Sequence, residues 1–447
     1  MTLRTPYYYC LATSIVIAAH VLGANSEFMN AAPESRSASI SVSDVAITGL
    51  GSVGPYGVDR HARVEALRAG VSPHQKVSSF DASSFGCQYA CPARDFEALA
   101  AEWIHERWRT VLPRSAIFSI LATAMSFERA EIVQSYPDTD FVVGTSSPSM
   151  EDVVGPLLKA PILLKRYSEP DIAPDILLKT FLSAPASALA ATFKTRGLPK
   201  VESTACASMF TALESAMLRV QSGLSSAAVA VAVDTPINWL TFLAFDRSKM
   251  LSHSDRARPL DVASDGGMFS EGSVAIHIEK ATSARQRGAP VLIEIESIVH
   301  GYDGITVTHS ADKSGEAWAD FIRRALNGNQ AVDAIALHAP GDFRFERLEF
   351  RALRSVFGSG LESIPVTSQK GAGSGLAYGG GAQLEAAIDM LLEQEIFPTM
   401  NLTQLRPEFA EYDVVRSLRS VQLNRILIPF RGFGGVAGAA VIKRSGA

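Results

Sequence analysis

From Asp44 onward the chain alternates short runs of apolar, β-branched residues with segments of helical periodicity, and it does so twice. The first round opens with "DVAITGLGSV" and contains "DFVVG" and "AAVAVAVD"; the second opens with "VLIEIESIVHGY" and ends with "GAAVIKR". Such apolar runs are typical of strands that are covered on both faces, and the helical segments would supply that cover. The pattern predicts an α/β fold with parallel-rich sheets in both halves of the chain.

Composition excludes several classes of protein. With 447 residues, of which 47% are hydrophobic and 19% charged, the chain can bury a large core. Its net charge is −5 and it has no block of Lys and Arg, so we expect no nucleic-acid partner. Its four cysteines are too few for a disulfide framework. They favour a reducing compartment, and hence a cytoplasmic location.

Cys87 and Cys91 are separated by three residues, a spacing that could suggest a pair of metal ligands. No second Cys or His pair lies nearby in the sequence, and structural zinc sites use four such ligands. We therefore interpret both residues as ordinary thiols and predict no metal site.

Residues 1–41 differ in composition from the rest of the chain, and we interpret them as a leader. The stretch "MTLRTPYYYCLATSIVIAAHVLGANS" has one positive charge, an apolar run and small residues, as a secretory signal does. It is short for a membrane span and His20 interrupts it, so no stable membrane insertion is expected. Two interpretations stay open: a true targeting segment, or an extension from an upstream start codon, with Met29 beginning the functional chain.

The hexapeptide "STACAS" places Cys206 among small residues, between a predicted strand near Val201 and a predicted helix that would end at Gly223. The apolar residues of that helix recur at the spacing of one helical face: Phe210, Leu213, Met217 and Leu218. A thiol at a helix N-terminus lies next to free backbone N–H groups and the positive end of the helix dipole, which lower its pKa. Cys206 is thus either an activated nucleophile or a buried, inert cysteine, and the hexapeptide alone does not decide between them.

The segments that follow this cysteine carry a family resemblance. After "TACAS" come "LAFDRSKMLS" and "ARPLDVASDGGMFSEGSVAIHIEK", and the chain ends with "FPTMNL" and "RGFGGVAGAAVIK". With the opening "VAITGLGSVGPYG" and "FVVGTSS", these segments resemble the elongating β-ketoacyl-[acyl carrier protein] synthases of the thiolase-like superfamily. The likeness covers roughly Asp44 to Lys443.

The resemblance implies a thiolase-like, five-layered, duplicated α/β/α/β/α fold. Its N-terminal half would span 42–285 and carry the nucleophilic cysteine, and its C-terminal half would span 286–447. The implied partners are an acyl carrier protein and a second subunit, in a homodimer or in a heterodimer with another ketosynthase-like chain. The implied substrates are acyl and malonyl thioesters. No cofactor is implied, because the phosphopantetheine arm arrives on the carrier protein.

The family also implies roles for particular residues. Cys206 would accept the acyl chain, and Phe433 in "GFGG" would supply an oxyanion-hole N–H, together with that of Cys206, and a ring that gates the site. His338, after a predicted strand, matches the first of two histidines that bind the thioester oxygen while the malonyl group loses CO₂. Lys370 and Glu385 match the lysine and glutamate of the family motif. For His338, Lys370 and Glu385 a structural role remains the alternative. The "GFGG" segment taken alone would indicate only a turn.

The chain departs from the family at two places. Family members continue after the first histidine with Gly-Thr-Xaa-Thr, whose hydroxyls contact the pantetheine arm, whereas this chain has Ala339 to Asp342 as "APGD". The second histidine should fall at Gly375 or Leu376, and no histidine follows His338 in the sequence. His309, on another loop, is a candidate substitute.

Three functions are compatible with these residues. The first is a β-ketoacyl synthase-like condensing enzyme of fatty-acid or polyketide biosynthesis. The second is an acyltransferase that loads Cys206 without decarboxylation, and the third is a chain-length-factor-like partner subunit of a complete ketosynthase. The retained cysteine argues against the third function, and the lost histidine argues against the first. We expect the first function, that of an acyltransferase of the 3-oxoacyl-[acyl carrier protein] synthase type, with the other two as alternatives.

Overall fold

The structure, a computed structural model, describes residues 44–132, 138–147, 149–150, 175–303 and 313–446. These residues belong to one compact unit that spans 40–447. The predicted leader over 1–41, with Met29, lies outside the described residues, and so does His309.

The strands of the described residues number fourteen. Their bounds are β1 (Val45–Val53), β2 (Gln75–Lys76), β3 (Tyr89–Ala90), β4 (Asp140–Gly144), β5 (Pro199–Glu202), β6 (Ala227–Asp234), β7 (Gly272–Lys280), β8 (Ile293–Tyr302), β9 (Ala334–Ala336), β10 (Val366–Thr367), β11 (Glu395–Ile396), β12 (Arg419–Ser420), β13 (Arg425–Arg431) and β14 (Val436–Arg444).

Twelve α-helices are described in the same ranges. Their bounds are α1 (Arg60–Arg68), α2 (Glu97–Trp103), α3 (Glu106–Arg109), α4 (Arg114–Arg129), α5 (Ile176–Thr180), α6 (Ala184–Thr192), α7 (Ser208–Gln221), α8 (Trp239–Arg247), α9 (Ala281–Gln286), α10 (Glu316–Leu326), α11 (Phe343–Phe357) and α12 (Leu376–Glu393). None of these helices is both long and apolar enough to cross a lipid bilayer.

Ten strands form one sheet in the order β10-β9-β13-β14-β8-β1-β7-β6-β4-β5. We number the five strands of each half along the chain and read each half from the outer edge of the sheet toward the centre. Both halves then have the order 3-2-4-5-1. A short antiparallel contact between β1 and β8 joins the two halves. The repeated order is the duplication that the family resemblance predicts.

Pairing within each half is mixed. β4 is parallel to β5 and β6, and β9 is parallel to β10 and β13, whereas β7 and β14 are antiparallel to both of their neighbours. In each half of the fold, two of the four strand pairs are parallel and two are antiparallel. The prediction of parallel-rich sheets therefore holds for only two of the four pairs. Only residues 432–435 connect β13 to β14, and a parallel pair would need a much longer crossover.

The helices complete five layers. α4 and α6 cover the outer face of the N-terminal strands, and α10 and α11 cover the outer face of the C-terminal strands. α7 and α12 pack against each other between the two halves of the sheet.

Strand β6 shows how its residues produce this arrangement. Its side chains alternate between the two faces of the sheet. Those in the outer core with α4 are Val229, Val231 and Val233. Those in the central core with α7 and α12 are Ala228, Ala230 and Ala232. The small alanine side chains let the two central helices lie close to the strand. Asp234, the last residue of β6, accepts the N–H of Ala377 in the first turn of α12.

Candidate active site

Cys206 lies on the turn between β5 and α7. Residues Ala205–Ala207 form one 3₁₀ turn, and the α-helix begins at Ser208. The Ser208 hydroxyl donates to the carbonyl oxygen of Ala205 at 2.7 Å and accepts the N–H of Thr204 at 2.8 Å. These bonds hold Ala205 at φ = 52°, a left-handed conformation that is unfavourable for a residue with a side chain. The cysteine is thus presented on a strained turn.

Two glycines allow neighbouring segments to approach this turn. A Cβ atom at Gly380 in α12 would lie 2.4 Å from the carbonyl oxygen of Cys206. A Cβ atom at Gly432 would lie 2.4 Å from the carbonyl oxygen of Thr204. Because the opposing atoms belong to the backbone, both positions need glycine. α12 and the loop after β13 therefore contact the cysteine turn directly.

The helix α7 ends close to where the sequence predicts. Gly223 follows it with φ = 72°, and the three residues Phe210, Leu213 and Met217 are buried. Leu218 is instead 38% exposed. It follows Met217 by one position, which turns its side chain away from the buried face.

Cys206 lines a cavity of about 660 Å³, a volume that includes the opening to solvent. The cavity brings together four of the five predicted site residues: Cys206, His338, Lys370 and Phe433. Half of its other lining residues have large apolar side chains: Phe245, Met250, Leu251, Met268, Phe269, Phe345 and Leu376. An apolar cavity beside a thiol is suited to the hydrocarbon part of an acyl chain.

The surroundings of the sulfur atom act on its charge in opposite directions. Burial raises the pKa of the Cys206 thiol above its ordinary value, whereas the charge of Lys370 and the backbone N–H groups of Leu376 and Phe433 lower it. Burial has the largest effect, so the prediction of a lowered pKa is wrong. The sequence did not show how closely the cavity encloses the sulfur. Lys370 and the two N–H groups are the elements that favour the thiolate.

Replacing Lys370 by methionine is expected to move the alkylation profile of Cys206 to higher pH. Lys370 is 2% exposed, and its charge is the largest influence that favours the thiolate. Without that charge the pKa of the thiol rises further, so the reaction with iodoacetamide at neutral pH becomes slower. The measurement is the rate of Cys206 alkylation against pH, followed by mass spectrometry. Lys443→Met, at the end of β14, is the control, and an identical profile in both variants would contradict the prediction.

His338 follows β9 by two residues and is held by its backbone. Its N–H and that of Ala339 donate to the two carboxylate oxygens of Glu349, at 2.7 Å and 2.8 Å. Burial and the charges of Lys370 and Arg431 bring the pKa of the imidazole well below its ordinary value of 6.5. Nδ1 has no hydrogen-bond partner among the described residues. A neutral imidazole in this position can donate one N–H to a substrate oxygen.

The position expected for a second histidine is occupied by an apolar wall. Gly375 and Leu376 both line the cavity. Leu376 has φ = 53°, and its side chain is 6% exposed and belongs to an apolar cluster with Leu251 and Phe269. Within the described ranges, His338 is the one imidazole in the cavity with Cys206.

A larger cavity adjoins the first one at Phe433. It measures about 1430 Å³ with its open solvent included, and five cations line it: Lys313, Arg344, Arg347, Arg351 and Arg431. No carboxylate is among the described residues that line it. We call this cavity the basic vestibule. The Phe433 side chain is 40% exposed and lines both cavities, and its role as a gate stays a prediction.

The segment from Ala339 to Asp342 has a structural task at this boundary. The carboxylate of Asp342 accepts the N–H of Arg344 at 2.9 Å and so caps the N-terminus of α11. Pro340 and Asp342 line the cavity of Cys206. The hydroxyls of the family segment are thus replaced by a proline ring and a capping carboxylate.

Glu385, the fifth predicted site residue, lies outside the cavity of Cys206. Its Oε1 is 2.8 Å from Nη2 of Arg63, and Arg63 also pairs with Asp389 at 2.6 Å. Asp389 is in turn 2.8 Å from Nε of Arg60. These ion pairs join α1 to α12 and favour a structural role for Glu385; its catalytic role stays a prediction.

Replacing Arg63 by methionine is expected to lower the free energy of unfolding by about 3 to 5 kcal/mol, because it leaves the buried Glu385 carboxylate without its cation. The side chains of Arg63 and Glu385 are only 10% and 2% exposed. Urea denaturation measures the effect. The control is Arg285→Met, which removes an ion pair whose arginine is 58% exposed and should change stability by less than about 1 kcal/mol. Equal effects of the two substitutions would contradict the prediction.

Two buried charged residues near the cysteine were not predicted from the sequence. Asp234 ends β6 and accepts the N–H groups of Ser146 at 2.9 Å and Ala377 at 2.6 Å, and burial raises its pKa to about 6. Arg431 ends β13 and pairs with Asp303 at 2.5 Å. Each is a charged residue at the C-terminal end of a strand whose central residues are apolar, and that pattern was the available signal.

Comparison with known proteins places these features in a family. The family model "Beta-ketoacyl synthase, N-terminal domain" matches residues 42–284, and "Beta-ketoacyl synthase, C-terminal domain" matches residues 292–403. A "Putative polyketide beta-ketoacyl synthase 1" of Streptomyces halstedii is 26% identical over 432 residues and covers 89% of this chain and 97% of its own. A "3-oxoacyl-[acyl-carrier-protein] synthase 2" of Synechocystis sp. is 25% identical over 405 residues, with coverage of 88% and 95%.

Solved structures share the fold. The ishigamide ketosynthase/chain length factor matches with a TM-score of 0.81 at 21% identity, over 90% of this chain and 99% of the other. A ketosynthase solved with its type II PKS acyl-carrier protein matches with a TM-score of 0.77 at 22% identity and the same coverage. At these identities the likeness concerns the fold, and it confirms the thiolase-like architecture.

Proposed function

Because the chain belongs to the β-ketoacyl synthase family, whose members are acyl-transferring condensing enzymes of fatty-acid and polyketide biosynthesis, we propose that it extends an acyl chain held on Cys206 with a malonyl thioester. The observation that carries this proposal is the arrangement at the sulfur. Cys206 stands on a strained turn in an apolar cavity, where the backbone N–H groups of Leu376 and Phe433 favour its thiolate, and it shares the cavity with a neutral His338.

The first half-reaction is acyl transfer to the cysteine. The thiolate attacks the carbonyl carbon of an acyl thioester, a new C–S bond forms, and the carrier thiolate leaves. Backbone N–H groups at Phe433 and Cys206 stabilise the oxyanion, and the charge of Lys370 favours the attacking thiolate. The hydrocarbon chain lies among the apolar walls of the cavity.

The second half-reaction is decarboxylative condensation. The bond between the carboxylate carbon and C2 of the malonyl group breaks, CO₂ leaves, and the electron pair makes an enolate whose oxygen accepts a hydrogen bond from His338. C2 then attacks the acyl carbon on Cys206, the C–S bond breaks, and the cysteine thiolate is released. Each step balances without an added oxidant or reductant.

The basic vestibule is the proposed entrance for an acyl carrier protein. A phosphopantetheine arm carries a phosphate, which Lys and Arg side chains bind. Lys313, Arg347 and Arg351 line the basic vestibule, and no carboxylate is among its described lining residues. Movement of the Phe433 ring would open the way from the vestibule to Cys206. One structurally similar ketosynthase is described in complex with its acyl-carrier protein, which supports this proposal.

A second subunit is also part of the proposal. β5 is the last strand at one edge of the ten-stranded sheet, and its outer side has no strand partner among the described residues. An unpaired edge accepts a strand from another chain. The occupant is a second copy of this chain or another ketosynthase-like subunit; one similar structure is described as a ketosynthase/chain length factor.

One observation favours a second candidate function, that of an acyltransferase without decarboxylation. Gly375 and Leu376 offer no side-chain donor for the enolate. Such an enzyme would load Cys206 and pass the chain to another nucleophile.

The test is incubation of the full chain with acyl and malonyl carrier thioesters, followed by intact-mass analysis and measurement of CO₂ and 3-oxoacyl product. Condensation predicts an acyl adduct, CO₂ and product; the second candidate predicts the adduct alone, and a partner subunit predicts neither. Arg347→Glu should raise KM for carrier-bound substrate but not for a small pantetheine thioester. Arg416→Glu, an exposed arginine outside the vestibule lining, is the matched control.

A further inference from the structure

The cavity of Cys206 contains a permanent cation that the family motifs did not predict. Arg431 is 3% exposed and lines both the cavity of Cys206 and the basic vestibule. A guanidinium keeps its proton at every physiological pH. Burying a charge of this kind is unfavourable unless partners compensate it, so its surroundings indicate what it can do.

Arg431 and His338 both lie beside the ring of Trp318. The guanidinium carbon of Arg431 is 5.6 Å from the centroid of Trp318, and the His338 ring is 6.3 Å from the same residue in an edge-on arrangement. The Trp318 N–H donates to the carbonyl oxygen of Gly438 at 2.9 Å, which fixes the ring. The cation and the imidazole therefore share one aromatic neighbour, and both line the cavity of Cys206. The charge of Arg431 also contributes to keeping the imidazole neutral.

The hydrogen bonds of Arg431 leave donors for a substrate. Nη2 donates to Oδ2 of Asp303 at 2.5 Å, and the other guanidinium nitrogens make no hydrogen bond to a described residue. A guanidinium carries five N–H donors. Since Arg431 lines the cavity, an acceptor placed beside His338 can bind to the remaining donors.

We propose that Arg431 donates a hydrogen bond to the thioester oxygen of the malonyl substrate while the enolate forms, beside His338, and so supplies the stabilisation for which Gly375 and Leu376 carry no side-chain donor. This inference rests on the proposed decarboxylative function. Arg431 stays protonated throughout; the electron pair released as CO₂ leaves goes to the enolate, and the guanidinium charge offsets the charge on its oxygen.

The test compares Arg431→Met and Arg431→Lys with Arg425→Met. Arg425 belongs to the same strand, is 10% exposed and pairs with Glu296 at 2.6 Å, so it reports the effect of losing a buried structural arginine. Two rates are measured for each protein: CO₂ release from a malonyl thioester and acyl loading of Cys206. For Arg431→Met we expect kcat of CO₂ release to fall by about 10²-fold with loading and KM little changed. Arg431→Lys should retain an intermediate rate.

Two further variants guard against misfolding. The double variant Arg431→Met/Asp303→Asn avoids an unpaired carboxylate, and it should show the same selective loss. Adding Leu376→His to Arg431→Met should restore CO₂ release, because it returns an imidazole donor to the cavity; Leu376→Met in the same background should not.

Three outcomes would overturn the inference. CO₂ release unchanged in Arg431→Met would show that the guanidinium does not act on the enolate. A parallel fall of release and loading, as in Arg425→Met, would show a structural role, and an effect confined to KM would show that Arg431 binds the malonyl carboxylate instead. If the unmodified protein loads Cys206 yet releases no CO₂, both the decarboxylative function and this inference are refuted. If the unmodified protein releases CO₂ and Arg431→Met releases it at the same rate, only this inference is refuted.

Discussion

Replacing Cys206 by alanine is expected to abolish the acyl adduct that forms when the protein is incubated with an acyl thioester. Among the described residues, Cys206 is the one cysteine that lines the apolar cavity, and the backbone N–H groups of Leu376 and Phe433 favour its thiolate. Alanine removes the atom that forms the thioester, so the adduct should be lost rather than slowed. The measurement is intact-protein mass spectrometry after incubation, with peptide mapping of the modified site.

The matched controls are Cys87→Ala and Cys91→Ala. Both thiols are fully buried, and burial raises the pKa of Cys87 to about 11 and that of Cys91 well above its ordinary value. Neither is among the residues that line the cavity, so each variant should still acquire one acyl mass. An adduct that persists in Cys206→Ala would refute the assignment of the nucleophile.

Replacing His338 by alanine is expected to slow CO₂ release from a malonyl thioester by about 10²- to 10³-fold, the usual effect of removing one preorganised donor to a developing oxyanion. Loading of Cys206 should continue, because the thiolate, the charge of Lys370 and the backbone N–H groups remain. The rate should also stay level as the pH falls through 6.5, since burial brings the pKa of His338 well below that value and the ring stays neutral. CO₂ release at several pH values measures both effects.

Two comparisons make the His338 experiment specific. His338→Asn keeps a side-chain donor and should recover part of the rate. His309→Ala tests the candidate substitute for the second histidine, which lies outside the described residues. If this variant lowers CO₂ release as much as His338→Ala does, the enolate has two imidazole donors rather than His338 alone. Loss of acyl loading in His338→Ala would instead indicate that His338 maintains the shape of the cavity.

Much of the fold could be predicted because its signals are local. The apolar runs of β1, β4, β6 and β8 are legible in any window of several residues, and the helix α10 follows a clear amphipathic period. The direction of pairing was less accessible. It depends on which strands become neighbours, and the antiparallel contacts of β7 and β14 join segments that the local pattern does not relate.

The site was predicted in part for the same reason. Cys206, His338, Lys370 and Phe433 stand in recognisable motifs, and the structure brings all four to one cavity. Glu385 also stands in a motif, yet its side chain pairs with Arg63, which is more than three hundred positions earlier in the chain. Its surroundings could therefore not be read from the residues near it.

The sequence by itself determined the turn that presents the cysteine, because small residues, the Ser208 hydroxyl and the strand and helix on either side all act within a few positions of Cys206. Only the tertiary structure decided what the cysteine faces. Burial sets the direction of the thiol pKa, Leu376 replaces an imidazole with an apolar wall, and Arg431 enters the cavity beside His338. Each of these depends on contacts between segments far apart in the chain, and the desolvation and charge that act on a group are sums over all its neighbours in space.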